Sequence, residues 1–142
     1  MVRLREGIQF HRGWGEFTAH DVPHSTAVIV RDDAIATDTG LFRNLFGATE
    51  AEVLENIRVV DDYTLEFNLL RTEATLDFVL SAQQGNLFIY SKNQWDTDGE
   101  QSYVDQPAGN GPWQFESRQL RVGGNVLYSR VADHWRQTPS RS

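Results

Sequence analysis

Hydrophobic and polar residues alternate over short stretches along this chain, and the alternation changes period often. Val2 to Phe10 alternates loosely and predicts a short strand that enters a turn at Arg12-Gly13-Trp14-Gly15. Thr18-Ala19-His20-Asp21 resembles a capping box, with a hydroxyl at its start and an acid three residues later, so a helix is expected through about Val30. Pro23 falls one turn inside that helix and removes an amide donor. Asp32 to Gly47 reads as a loop with a short helical turn at Leu41–Phe46. Thr49-Glu50-Ala51-Glu52 is a cleaner capping box and opens a helix with Ala51, Leu54 and Ile57 on one side.

The strongest local pattern follows. Ile57–Val60, the pair Asp61-Asp62 and Tyr63–Leu69 predict a β-hairpin in which Leu65, Phe67 and Leu69 alternate with polar residues. Leu76, Val79, Leu80 and Gln83 then recur at helical spacing over Thr75–Gln84, with Gly85 placed to end that helix. Leu87–Tyr90 reads as a short apolar strand, and Lys92–Ala108 as helix pieces and loop. Gly111-Pro112 starts another extended stretch with Trp113 and Phe115 on one face. Gly123-Gly124-Asn125 turns it back into Val126–Ser129. The sum is an α+β chain of mixed sheet, hairpins and short helices. Strands and helices do not alternate as βαβ units, so the pattern does not indicate a doubly wound parallel sheet.

Composition narrows the chemistry. At 142 residues the chain has the length of one domain. It contains no Cys, which removes disulfides, thiolate zinc sites and thiol nucleophiles together. No apolar run approaches the length of a membrane helix, and the start, Met1-Val-Arg-Leu-Arg-Glu-Gly, has no apolar signal-peptide core. The net charge of −7 disfavours nucleic acid. The charge is uneven: from Ser117 onward Arg118, Arg121, Arg130, Arg136 and Arg141 stand against one acid, Asp133. That strip reads either as anion-facing or as a solvated strand face.

Candidate catalytic arrangements are few. His20 and His24 lie four apart on a predicted helix with Asp21 between them, which allows two ligands to face one ion, but no further ligand is local. No Gly-x-Ser-x-Gly elbow is present. Gly109-Asn110-Gly111 has the glycine spacing of a phosphate loop but lacks the Lys-Ser/Thr that such a loop needs. Asp61-Asp62 sits at a hairpin turn, where Asp is favoured for backbone reasons. The four Trp and eight Phe fit a core and also a ligand pocket.

Four segments, in order, resemble the family 5 extracellular solute-binding proteins of ABC importers, the oligopeptide, dipeptide and nickel-binding group. Leu4–Val22, Leu-Arg-Glu-Gly-Ile-Gln-Phe-His-Arg-Gly-Trp-Gly-Glu-Phe-Thr-Ala-His-Asp-Val, is similar to the family signature L-R-D/E-G-V/I-x-F-H/S-D/N-G-x-x-F/L-T-A-x-D-V. Val60–Phe67 is similar to its V-D-D-Y-T-V-x-F hairpin, Pro107–Phe115 to P-V-G-T-G-P-Y-x-F, and Val126–Trp135 to I-x-L-x-x-N-P-D-Y-W. Departures occur at Arg12, where the family has an acid or Asn, at Pro23, and at Val131–His134 in place of Asn-Pro-Asp-Tyr.

The resemblance implies part of the first lobe of a type II periplasmic-binding-protein fold, with residues 1–142 forming a single partial domain. It implies a peptide or other small solute held between two lobes, delivery to an ABC permease, no catalysis, no cofactor, and a periplasmic or extracellular location. The residues it points to as ligand contacts are Asn110, Gly109, Phe42 and Phe46, whereas Gly7, Gly13, Thr18 and Asp21 read as turns and a cap. A lobe without its partner surface is expected to expose apolar area and to self-associate. The alternatives are a stand-alone small domain with a metal at His20 and His24, and a protein-interaction module.

Overall fold

The computed structural model describes residues 1–81 and 87–136. Their contacts divide into two compact units, the first made of residues 1–6 and 18–92 and the second of residues 7–17 and the chain from Asn93 onward.

In the first unit a three-stranded antiparallel sheet has the order β1-β3-β2, with β1 at Val2–Arg3, β2 at Ile57–Asp61 and β3 at Thr64–Phe67. The predicted hairpin forms, with Ile57 opposite Phe67 and Val59 opposite Leu65. Its turn is held by Asp61, whose Oδ1 accepts the Tyr63 N–H at 2.9 Å; this hydrogen bond holds the Asp61 carboxyl below its ordinary pKa. The expected strand over Val2–Phe10 is interrupted: only Val2 and Arg3 join this sheet, and Gly7, at φ +80°, ends the extended run.

Helix α1 (Asp21–Ile29) starts two residues later than the predicted cap at Thr18 implies, with His20 at its N-cap and no side-chain cap bond, and Pro23 falls in its first turn, where no intrahelical amide is needed. Asp21, Val22, Pro23, Ser25, Thr26, Ala27 and Ile29 are all buried, so the helix is enclosed nearly all round. Ser25 and Thr26 survive there because their hydroxyls donate to the carbonyls of Asp21 and Val22 at 2.6 and 2.9 Å.

The aromatic run becomes a two-turn helix, α2 (Thr39–Phe46), and packs Phe42, Leu45 and Phe46 fully inside. The Phe42 and Phe46 rings stack with centroids 6.2 Å apart, and Phe67 on β3 lies 5.5 Å from Phe46. Gly47 ends α2 at φ +109°, and a Cβ there would come within 2.3 Å of the Glu52 Cβ. Helix α3 (Glu50–Asn56) begins with the expected reciprocal capping box between Thr49 and Glu52. It buries Val53, while Ala51 and Leu54 face solvent. Of the three residues chosen from periodicity only Ile57 is buried, and it is already strand because α3 ends at Asn56. Helix α4 (Leu76–Val79) is one turn and stops short of the prediction, since Leu80 and Ser81 are already turn and bend; residues 82–84 of the predicted helix, with Gly85, lie outside the described residues. Leu87–Tyr90 pairs with no strand, and the Tyr90 amide instead donates to the Ser25 hydroxyl at 2.8 Å.

The second unit contains α5 (Lys92–Asp98), α6 (Glu100–Asp105) and an antiparallel hairpin of β4 (Trp113–Arg118) and β5 (Val126–Arg130). Residues 8–17 fold back on themselves: Gln9 bridges Glu16, Phe17 N–H donates to the Ile8 carbonyl at 2.7 Å, and the Phe10 and Phe17 rings meet edge to face at 6.2 Å. Among the described residues no helix is long and apolar enough to cross a membrane.

Truncating Phe46 to Ala removes a ring with no exposed surface and is expected to cost about 3–5 kcal/mol in urea unfolding. Leu54→Ala, at a half-exposed position, is expected to cost no more than about 0.5 kcal/mol in the same assay. The Glu52 carboxyl is held below its ordinary pKa by the amides of Ala48 and Thr49 and by the Thr49 hydroxyl. Because its folded pKa is depressed, its contribution is present above the unfolded value and fades as pH falls through the folded one. Carbon-13 NMR titration should place Glu52 below the ordinary glutamate value, and Thr49→Ala should raise it.

Candidate functional site

The Gly109–Gly111 loop leads into β4 and is fastened through its carbonyls. His11, in a single 3-10 turn over His11–Gly13, donates its backbone N–H to the Gly109 carbonyl at 2.8 Å. Its ring Nε2 meets the Gly111 carbonyl at 2.8 Å, so the ring carries its proton on Nε2 there. The Asn110 carbonyl accepts the Trp135 indole N–H at 3.0 Å and lies 3.3 Å from His134 Nε2. One step upstream, the fully buried Gln94 amide donates to the Gln106 carbonyl at 2.9 Å and accepts the Ala108 N–H at 3.2 Å. Four side chains from three separate parts of the sequence thus hold one backbone segment.

Arg12 adopts a left-handed backbone at φ 62°, which turns its guanidinium onto the Phe115 carbonyl and to within 3.4 Å of Glu116. Glu116 also accepts from the Ser129 hydroxyl and the Gln114 amide; these bonds, with Arg12 nearby, hold its carboxyl below the ordinary carboxylate range. Beside this network is a concavity of about 240 Å³, walled by Phe10, His11, Gly111, Gln114, His134 and Trp135 among others. A second one, of about 300 Å³, lies in the first unit before α2, between Ile29, Ile35, Phe88 and Tyr90.

Of the expected ligand contacts, Asn110 and Gly109 stand on the fastened loop. Asn110 is half-buried, and its side-chain amide makes no hydrogen bond to any described residue. A Cβ on Gly109 would meet only the His11 ring, at an ordinary 3.6 Å, and one on Gly111 nothing within 4 Å. Packing within this chain therefore does not require either glycine. Phe42 and Phe46 are corrected: both rings are completely enclosed in the first unit and have no surface to offer a ligand. Helical spacing gave that signal all along, since residues four apart on an amphipathic helix share its inner face. The proposed metal pair is corrected too. His20 precedes α1 and lies 3.6 Å from exposed Asp62, and among the described residues no three His, Asp or Glu side chains converge on a common point. His11, Gln94, His134 and Trp135 went unremarked as a set because their shared role depends on contacts spanning up to 100 positions.

The mixed helices and short sheets are those of solute-binding proteins. Over 96% of this chain, covering 25% of the other, the fold matches the binding protein MoaA from A. tumefaciens R10, solved with mannopinic acid, at a TM-score of 0.75 and 25% identity. Listeria monocytogenes OppA bound to peptide matches over 94% of this chain and 27% of its own, at TM-score 0.67 and 22% identity. Helicobacter pylori DppA in complex with the peptide STSA matches at TM-score 0.65 and 23% identity, over the same shares. Residues 1–141 match the model of the bacterial extracellular solute-binding proteins, family 5, and the chain belongs to that family. The probable ABC transporter periplasmic-binding protein SapA of Escherichia coli K12 is 26% identical over 91 residues, which are 63% of this chain and 16% of SapA. The chain thus spans about a sixth of this curated relative and about a quarter of the solved structures.

His11→Phe keeps a ring in place and deletes the bond to Gly111. It is expected to lower stability by about 1 kcal/mol in urea and to broaden the Gly109 and Gly111 amide resonances, whereas His20→Phe, at an exposed site, leaves both unchanged.

Proposed function

We propose that this chain is the first-lobe part of a two-lobed binding protein that captures a peptide outside the cytoplasm and hands it to an ABC permease. The observation that carries this reading is the family match over residues 1–141; the peptide-bound OppA and DppA structures support the peptide as its solute class. The role is non-catalytic: bound peptide is released unchanged, and lobe closure supplies the selectivity. Asn110 is the first contact. Its side-chain amide, with no hydrogen bond to any described residue, matches a peptide backbone in both donor and acceptor, and it stands on a loop whose own carbonyls are already committed to His11, His134 and Trp135. Gly109 and Gly111 let a ligand backbone approach closely at that point.

The test uses a polypeptide carrying both lobes. Short peptides should raise its melting temperature saturably, and mass spectrometry should recover them intact. Asn110→Ala should weaken binding about tenfold in calorimetry, while Leu54→Ala leaves it unchanged. Stabilisation by mannopinic acid with none by any peptide would reassign the solute class, and cleaved peptide would refute the non-catalytic role.

A further inference from the structure

Asn110 stands between two glycines, which have no Cβ and so restrict the peptide planes around it only loosely. Those planes are set from outside. The plane joining Gly109 to Asn110 is held through its carbonyl by the His11 backbone N–H at 2.8 Å. The next, joining Asn110 to Gly111, is held by the Trp135 indole N–H at 3.0 Å. The third, joining Gly111 to Pro112, is held by the His11 ring at 2.8 Å. Each plane is rigid, and the first two meet at the Asn110 Cα, so together they fix the direction of its side chain.

The holders are themselves fixed. His11 is buried, and its turn closes where the Phe10 N–H donates to the Gly15 carbonyl at 2.8 Å. Arg12 fastens the same turn to the Phe115 carbonyl and to Glu116, on the strand that follows the loop. The segment carrying Trp135 is tied back by the Val131 N–H, which donates to the Pro112 carbonyl at 2.9 Å. The Trp135 ring lies 5.2 Å from that of His134 and 5.9 Å from the Arg136 guanidinium carbon. Every one of these contacts lies within the second unit.

We propose that His11 and Trp135 are positioning residues for the solute: they act through Asn110, holding its amide at the angle at which it meets a peptide backbone. The inference rests on the reading of Asn110 as a ligand contact. With both donors in place the loop is ordered before the solute arrives, and binding does not bear the entropy of fixing it. With either donor removed, a glycine-flanked plane rotates, and the amide samples directions in which it matches no backbone.

The test is calorimetry on a polypeptide carrying both lobes, with the member of a random tetrapeptide library that the unaltered protein retains most tightly. His11→Phe and Trp135→Phe each keep a ring and delete one N–H donor, and each should weaken binding about tenfold. His11→Gln, whose amide N–H can reach the Gly111 carbonyl, should recover most of that loss. In an Asn110→Ala background the two Phe substitutions should change affinity less than about twofold, because the group they aim is gone. Losses that simply add to that of Asn110→Ala would mark a general effect on the fold and overturn positioning, as would full affinity in both Phe variants. Circular dichroism checks folding, and either Phe variant decides the question if the other does not fold. Affinity unchanged by Asn110→Ala alone would refute the contact assigned to Asn110, and this inference with it. Retention of no tetrapeptide by the unaltered polypeptide would refute the peptide reading itself and take both down together.

Discussion

The Asp21 carboxylate organises the first unit. It is only 4% exposed, and its two oxygens accept backbone amides from opposite ends of the unit: Thr18 at 2.8 Å and Lys92 at 2.8 Å, the latter 71 positions away. A buried carboxylate without such donors carries a desolvation cost of several kcal/mol. The position therefore fixes both partners together or neither. One turn on, Ser25 repeats the device at smaller scale, joining the Tyr90 amide to α1. The stretch before Lys92 has no strand partner, and these two side chains give it a defined place.

What was legible in the sequence was local. The Thr49–Glu52 box, the Asp61 turn and the β4–β5 hairpin each depend on residues a few positions apart, and each formed as expected. The contact between Thr18 and Asp21 was legible, although it does not cap α1 as a box would, and Asp21 also reaches Lys92, which no spacing rule reveals. Leu87–Tyr90 looked like a strand because its composition is apolar, yet burial of that kind suits an irregular segment equally well once its amides find side-chain partners. An inward face was misread where an element ended early, as at Asn56.

The candidate site divides the same way. The glycine spacing of 109–111 drew attention to a loop that proves to be firmly held, but the holders, His11, Gln94, His134 and Trp135, are invisible without the fold. The resemblance to family 5 was readable from motif order, and residues 1–141 match that family. The motif spanning Leu4–Val22 supplies both units: its middle builds the turn that grips Gly109 and Gly111, and its end supplies Thr18 and Asp21.

That division bears on the order in which a ribosome can complete the molecule. The first unit has its chain once Lys92 has emerged, so Asp21 and Ser25 can be satisfied early. Residues 7–17 are made before the first unit is complete, yet His11 must wait for Gly109 and Gly111, about a hundred residues later. At about 5–20 residues per second that is a wait of roughly 5–20 seconds, far longer than loop closure itself. During synthesis the segment carrying Phe10 and Phe17 has only its own residues to pack against until the remainder of its unit is made.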